Sequence, residues 1–486
     1  MDEKGIVYLV GAGPGDMKLI TVKGLEKLQK AEVIFYDRLV NPLFLQEADV
    51  NAELIYCGKL PNRHILRQEV INELLVEKAK QGKVVVRLKG GDPGVFGRVG
   101  EEATALNQAG VRYEIVPGIT SGIAAPLYAG IPVTHREYGT SFTVVTGHDK
   151  SVDGKPTINW RALAVGIDTI AFYMGIKNLP HICENLINHG RDRSTQVAVI
   201  QWGTTSRQRV VEGTLETIAD EVAKHGISNP AITLVGNIVA LRKQIKWFED
   251  KLLLGKKVIL ADGNANLCSQ LVHNGAEVLT YPKLSIEPIT KELAYIKKLA
   301  NLASYDKISF TSKESVQIFF DSLVTNEIDI RSLPANFYSH NQETKQALKK
   351  CGIMSEIVNE LDTGLIVGSS EAIAELRVKG NYLVTHQVKN CYPATVALQR
   401  FVEEDSFNTI IFTSARSIKL FYKQTKKDNL NCAEIIGNCQ IICIGEEAFL
   451  TAKKMKLTVN VYTKNLNSEN LSYFFSKQKD SEKAFG

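Results

Sequence analysis

The run LKGGDPGVFGRVGEE, residues 88–102, gathers the groups of this chain best suited to hold a small molecule. It follows a β-type stretch, Val84–Leu88, and precedes a helix expected to start near Val99. A strand ending in a glycine-rich turn ahead of a helix is where open α/β folds bind ligands. Gly90, Gly91, Gly94 and Gly97 permit close backbone approach, and Asp92 offers a carboxylate to a hydroxyl or a cation. A tight βα connection explains the same turn with no ligand at all. A second turn, Gly11-Ala12-Gly13-Pro14-Gly15-Asp16, follows the strand-like Ile6–Val10 and can present N–H groups to an anion. Asp37 closes the next strand-like run, either as a helix cap or where a dinucleotide fold keeps its ribose-binding acid. The spacing is GxGxG rather than GxGxxG, and Pro14 removes a donor that a pyrophosphate would need. A nicotinamide oxidoreductase is therefore the weaker alternative for this turn.

Further motifs recur in order. Val116-Pro117-Gly118-Ile119-Thr120-Ser121 brings two hydroxyls to the start of an Ala/Gly-rich helix, where capping is the plain alternative. Gly130-Ile131-Pro132-Val133-Thr134-His135-Arg136 sets an arginine beside a histidine, and a guanidinium fork suits carboxylates. Phe172-Tyr173-Met174-Gly175 and Gln201-Trp202-Gly203-Thr204-Thr205 each end a strand-like run. Together with GGDP-x-x-FGR and the opening VGAGPGD…LIT…FYDRLV, these motifs closely resemble the S-adenosylmethionine-dependent tetrapyrrole methyltransferases, over about residues 5–248. The opening is most similar to the uroporphyrinogen-III C-methyltransferases of that family.

The resemblance implies S-adenosylmethionine as methyl donor, S-adenosylhomocysteine as product, and a reduced macrocycle bearing carboxylates as substrate. It implies cofactor contacts at Pro14, Gly90, Gly91, Asp92, Val95, Thr120, Ser121, Tyr173, Met174 and Gly203. Substrate contacts fall on Arg38, Leu39, Phe96, Arg98, His135 and Arg136, with Asp37 as proton acceptor and Lys59 as proton donor. Replacing Asp92 is expected to weaken cofactor binding with little change in melting temperature. Gly94 departs from the phenylalanine usual in GGDPF, which loosens the expected pocket wall. Within the same fold, a methyltransferase acting later in corrin assembly is the alternative.

The elements that must position these groups alternate. Strand-like Ile6–Val10, Val33–Tyr36, Leu54–Tyr56 and Val84–Leu88 are separated by helical patterns at Leu19–Gln29 and Arg67–Lys80, which predicts a mostly parallel sheet. A second group at 141–146, 169–173, 196–200, 208–212 and 231–235 is less regular and predicts a mixed sheet in a second lobe. The lobes are expected at about 1–135 and 136–250, with a boundary in the charged stretch 243–256. The fold class expected is α/β, a two-lobed methylase followed by a two-lobed synthase-like domain over 255–486.

That second half carries a near-repeat, Lys307–Ser312 ahead of ESVQIFF and Thr409–Ser414 ahead of RSIKLFY. Serine or threonine there is first of all a helix N-cap. Two copies suggest two similar lobes facing a cleft. With Cys443-Ile444-Gly445-Glu446-Glu447 they resemble uroporphyrinogen-III synthase, which closes hydroxymethylbilane to uroporphyrinogen III. Thr311, Ser312, Thr413 and Ser414 would rim its cleft, with Tyr338 or Tyr392 supplying a phenol. Departures stand at Ala261-Asp262-Gly263, at Ser339-His340-Asn341-Gln342 with Thr344 as a substitute, and at Ala448. A lobe without catalysis is the competing reading.

The composition bounds the rest. The chain has 486 residues, 44% hydrophobic and 23% charged, with a net charge of +5, too weak to argue for nucleic acid. No apolar run suits a bilayer and no signal-peptide pattern opens the chain, so a cytoplasmic enzyme is expected. The 8 cysteines form no CxxC pair, so no metal site is indicated and free thiols are expected. Family resemblance implies a homodimer.

Overall fold

The computed structural model describes residues 5–58, 67–148, 154–261, 263–333, 336–358, 364–376, 380–404, 406–437 and 439–464. It divides into two compact units, one of residues 1–283 with 392–486 and the other of residues 284–391.

The first unit opens with β1 (Ile6–Gly11), β2 (Val33–Tyr36), β3 (Glu53–Tyr56), β4 (Val84–Lys89) and β5 (Arg112–Val116). They form one parallel sheet in the order β3-β2-β4-β1-β5. β1, β2 and β4 are rich in β-branched and aromatic residues and are buried almost throughout, as strands covered on both faces must be. The predicted helix at Leu19–Gln29 begins later, at Val22, because Thr21 accepts from the Gly24 N–H and caps it. Met17–Leu19 is a separate 3₁₀ turn capped by Asp16.

The next sheet contains β6 (Phe142–Thr146), β7 (Thr169–Tyr173), β8 (Gln196–Gln201), β9 (Arg209–Thr214) and β10 (Ala231–Val235), ordered β6-β7-β10-β8-β9. Only β6 and β7 pair in parallel, so the sheet is mixed, as the looser rhythm predicts. The charged stretch after it is no loose linker. Phe248 and Leu253 are buried, and Glu249 accepts from Arg242 and Gln208.

A third sheet in this unit, all parallel, has β11 (Lys257–Ala261) and β12 (Glu277–Thr280), and takes three strands from late in the chain. These are β19 (Thr409–Phe412), β20 (Gln440–Ile444) and β21 (Val461–Thr463), giving the order β12-β11-β19-β20-β21. One hydrophobic core runs through the first and third sheets. The buried segment Pro42–Glu47 after β2 packs on the helix Tyr392–Glu404, placing Phe44 and Leu45 in the same cluster as Ala397 and Phe401.

The second unit is a six-stranded sheet of β13 (Leu284–Pro288), β14 (Lys307–Phe310), β15 (Asn336–Ser339), β16 (Glu356–Ile357), β17 (Leu365–Ser369) and β18 (Asn381–Asn390). Its order is β13-β18-β17-β14-β15-β16, parallel except for the β13–β18 pair, and its core centres on Phe310 and Phe319.

Candidate active site

Because β1, β2, β4 and β5 are parallel, the turns that follow them leave the sheet at one edge. Backbone hydrogen bonds sew those turns together. Gly91 N–H donates to the Gly13 carbonyl at 2.7 Å, Gly13 N–H returns a bond to Gly91 at 3.1 Å, and Ala12 N–H reaches the Lys89 carbonyl at 2.8 Å. Asp92 accepts from Gly94 N–H at 2.7 Å and from Gly118 N–H at 2.9 Å, so its carboxylate joins the β4 and β5 turns. A methyl group on Gly118 would lie 2.3 Å from the Gly91 oxygen, a contact only glycine allows.

Two consequences follow. The amides of Ala12 and Gly13 are committed to the β4 turn rather than free for a pyrophosphate, which counts against a dinucleotide turn. Asp92 thus joins two turns besides being the expected cofactor contact, and on these bonds its loss is expected to lower stability as well as cofactor affinity.

The second sheet reaches the same edge. The Tyr173 hydroxyl, at the end of β7, lies 2.5 Å from Thr120 Oγ1 and accepts from Gly122 N–H at 2.5 Å. The Phe96 ring stands 5.0 Å from that of Tyr173, centroid to centroid. Asp16 N–H donates to Thr204 Oγ1 at 3.1 Å, and Tyr128 donates to the Asp16 carboxylate at 2.8 Å. Gly203 sits against Ala125, where a methyl group would come within 2.3 Å.

These turns carry unusual backbone. Phe96, Arg98, Met174, Trp202 and Thr204 have φ of 56°, 60°, 55°, 48° and 71°, all in the left-handed region that side chains disfavour. Strain of this kind persists only where surrounding contacts impose it, and it gathers at functional loops. Leu39, Phe96 and Met174 are exposed large apolar side chains, while Pro14, Gly90, Val95, Thr120 and Ser121 are half-buried.

Beneath the edge lies a charge cluster. Arg87, 2% exposed, donates to Asp37 Oδ1 at 2.7 Å and to Glu102 at 3.0 Å. Lys89 donates to the same Glu102 oxygen at 2.8 Å, and Glu102 is fully buried. Two cations and two carboxylates make the cluster neutral, the condition under which buried charge is tolerated. Burial works against the Arg87 cation, but the Asp37 and Glu102 carboxylates outweigh it and raise its hold on the proton. Burial and the neighbouring Arg87 lower that of Lys89. Burial pushes the Cys57 thiol up to about 11, so it stays protonated and inert. Asp37 is thus gripped through one oxygen, while its second accepts no hydrogen bond from a described residue.

The remaining expected residues fall as follows. Arg38 is exposed beside Asp37, and Arg98 forks onto Glu101 at 2.9 and 2.5 Å, so its charge is partly answered within its own turn. His135 accepts from Glu137 N–H at 3.1 Å and Arg136 is exposed, both in the segment between the first two sheets. Lys59 lies outside the described residues, as does Asp262.

In the later half, Ser312 caps the helix Lys313–Thr325, and Ser414 caps Ala415–Lys427 in a reciprocal capping box with Ser417. Thr311 donates to the Val367 carbonyl at 3.4 Å, and Thr413 is half-buried. Thr311 and Ser312 belong to one compact unit, Thr413 and Ser414 to the other. Thr344 is fully buried and donates to Asn341, the cap of the helix Gln342–Lys350, so it is no substitute for an exposed hydroxyl. Ala448 is core, and Tyr392 is exposed.

Sequence reasoning missed Arg87, Lys89 and Glu102. The signal was present, since Arg87 and Lys89 stand in an otherwise apolar strand, VVVRLK, which demands a buried counter-charge.

Residues 6–219 match the tetrapyrrole (corrin/porphyrin) methylases and residues 266–385 match uroporphyrinogen-III synthase HemD. A uroporphyrinogen-III C-methyltransferase of Bacillus subtilis (strain 168) is 43% identical over 454 residues, 92% of this chain and 93% of the relative. One from Priestia megaterium is 60% identical over 236 residues, 48% of this chain and 98% of its own. The porphyrin biosynthesis protein HemD of Ruminiclostridium josui is 33% identical over 491 residues, 95% of this chain and 96% of its own. Among solved structures, the uroporphyrin-III C-methyl transferase of Thermus thermophilus complexed with S-adenyl homocysteine is 38% identical, with a TM-score of 0.42, over 49% of this chain and 100% of that one.

Proposed function

The chain belongs to the tetrapyrrole methylases, and we propose that residues 1–250 methylate uroporphyrinogen III to precorrin-2 by way of precorrin-1, while residues 255–486 close hydroxymethylbilane to uroporphyrinogen III. The observation that carries the first part is the convergence at one sheet edge. Asp37 is held by a buried arginine, and Thr120, Tyr173 and Phe96 are brought together across two sheets.

The residues fit S-adenosylmethionine. The glycine backbone at Gly90, Gly91 and Gly203 permits close approach, Thr120 and Ser121 offer hydroxyls, and Met174 offers exposed apolar surface to an adenosine and a sulfonium, with Phe96 left for the macrocycle. When bound, that molecule supplies an electrophilic methyl group. The protein's part is alignment of a nucleophilic ring carbon with it, which can be worth about 7–11 kcal/mol. Arg87 fixes the Asp37 carboxylate, whose second oxygen takes the proton that leaves the carbon after methylation. Arg38 and Arg136, both exposed, answer the substrate's carboxylates, with His135 next to Arg136 in the chain. Lys59 is the matching donor by family resemblance.

The synthase half needs little acid–base equipment, because its task is to fold a flexible chain into one conformation. Thr311, Ser312, Thr413 and Ser414 are the hydroxyls we assign to it, the two serines acting as helix caps as well. A homodimer is supported by exposed Tyr113 and Ile115 on edge strand β5 beside exposed Ile119, Ile123 and Leu127. A cytoplasmic setting is supported by free cysteines throughout the described residues. No described helix is long and apolar enough to cross a membrane.

The test supplies the full chain with hydroxymethylbilane and S-adenosylmethionine without oxygen. Precorrin-2 absorption supports both halves. Type III macrocycle without methylation removes the first assignment. Type I macrocycle alone removes the second. Methylation confined to an already methylated ring selects the later corrin-pathway reading.

A further inference from the structure

Two charged side chains of the second half sit against the methylase turns with no evident duty in synthesis. Arg400, in the helix Tyr392–Glu404, is 3% exposed. Its guanidinium lies over the Tyr56 ring at 4.6 Å and the Tyr36 ring at 5.4 Å. One nitrogen donates to the Arg38 carbonyl at 3.3 Å and to Glu404 at 2.5 Å, while Nε and Nη1 are buried with no hydrogen-bond partner among the described residues. Leaving buried donors unpaired is costly, so a core-facing leucine or methionine would be the cheaper filler.

Glu277, at the start of β12, is 8% exposed, and among the described residues its side chain accepts from two groups, both in the methylase. Oε1 accepts from Asn41 at 3.0 Å and Oε2 accepts from the Ser206 hydroxyl at 2.5 Å. Asn41 also donates to the Gly15 carbonyl at 2.9 Å and follows the Asp37–Val40 turn. Ser206 follows the Gly203–Thr205 turn of the second sheet. Tyr36 and Arg38 flank Asp37 directly. Arg400 and Glu277 therefore grip both ends of the turn that carries Asp37, and Glu277 ties it to the turn after β8.

We propose that Arg400 and Glu277 are positioning residues for methyl transfer, so that the synthase half completes the methylase site by fixing the turn Asp37–Asn41. Neither touches the reacting atoms. They act through Arg38, Asn41 and the rings of Tyr36 and Tyr56. The helix that carries Arg400 also covers the buried segment Pro42–Glu47, so the turn is held from its side chains and from its continuation. A loosened turn would misplace the Asp37 carboxylate relative to the macrocycle while the cofactor contacts, on the β4, β5 and β7 turns, stay in place.

This rests on the methyltransferase reading, and the test separates the two. In the full-length chain, Arg400→Met, Arg400→Lys and Glu277→Gln are compared with Ile442→Val, which loosens the same lobe away from the turn. Melting temperature, S-adenosylhomocysteine affinity, kcat and KM for uroporphyrinogen III, and hydrogen exchange at residues 37–41 are measured. Arg400→Met is expected to lower kcat/KM on the order of tenfold to a hundredfold with cofactor affinity kept, because small misplacements cost that much. Arg400→Lys should recover part of it, and Glu277→Gln, which can accept only one of the two bonds, should lie between. Exchange at 37–41 should quicken in Arg400→Met and not in Ile442→Val. Unchanged kcat/KM and unchanged exchange in a folded Arg400→Met overturn the proposal, as does a loss that Ile442→Val shares in proportion to its stability. A wild-type chain that methylates nothing defeats the methyltransferase reading, and the exchange comparison still decides whether Arg400 holds the turn.

Discussion

The first and second sheets differ from the later half in where they place strained backbone. In the methylase, the left-handed non-glycine residues Phe96, Arg98, Met174, Trp202 and Thr204 all lie in turns that follow strands β4, β7 and β8. In the later half, Glu327, Asn429 and Lys456 lie just past helix ends, where a left-handed residue satisfies the last carbonyls and carries no functional message. The hydroxyls differ in the same way. Thr120 bonds across to Tyr173 on another sheet, whereas Ser312 and Ser414 bond the first turns of their own helices. Strands on both sides thus end in similar-looking turns. In one case polar groups link separate elements around a shared space, and in the other they finish a local helix.

That contrast can be broken by substitution. The largest effect is expected at Asp37→Asn, which should slow methyl transfer by roughly a hundredfold to ten-thousandfold with S-adenosylhomocysteine affinity kept. Full turnover in that variant would show that the proton leaves by another route. Next comes Arg87→Met, which leaves Glu102 with Lys89 as its one cation, gives the buried cluster an excess negative charge and frees Asp37. A stability loss of about 3–5 kcal/mol in urea unfolding is expected, and a loss under 1 kcal/mol would mean the cluster relaxes onto water. Asp92→Ala removes two amide acceptors and should cost about 1–3 kcal/mol along with cofactor affinity. Stability unchanged with affinity lost would restore the purely ligand-binding role.

Ser414→Ala should cost about 0.5–2 kcal/mol, the worth of an N-cap, if capping is its main duty. Type III product lost in a variant no less stable would instead mark Ser414 as a substrate contact. The smallest effect is at Asp168, whose carboxyl the Ser141 hydroxyl and the Ser141 and Thr140 N–H groups hold below its ordinary 3.8. The folded state therefore favours the charged form. Its contribution is present above that value and fades as pH falls below it. Asp168→Asn should flatten the acid limb of a melting-temperature profile and leave neutral pH little changed.

The parallel first sheet was legible because VVVRLK and VIFY are buried on both faces and read as continuous apolar runs. The glycine turns were legible because their residue types are demanded by close backbone contact, as Gly118 shows. Three features were not. Asp92 was visible as a carboxylate but not as a bridge, because its partner Gly118 is distant in sequence. The need for a counter-charge to Arg87 and Lys89 was legible, but not that Glu102 supplies it, because that residue lies on a separate helix. The core shared by Phe44 and Phe401 joins segments more than half the chain apart, and no local pattern announces such a contact. The expected boundary near residue 250 separates sequence motifs, while packing places β11 and β12 with the methylase and 284–391 apart.

The central claim is that the first edge transfers methyl groups to a tetrapyrrole, and mass spectrometry of the product tests it most directly. The full chain is given uroporphyrinogen III and S-adenosylmethionine labelled in its methyl group. The account predicts that two labelled methyl groups are added to each macrocycle, and that Asp37→Asn lowers the rate of addition without abolishing cofactor binding. A macrocycle recovered without label from a folded, cofactor-binding chain would contradict it.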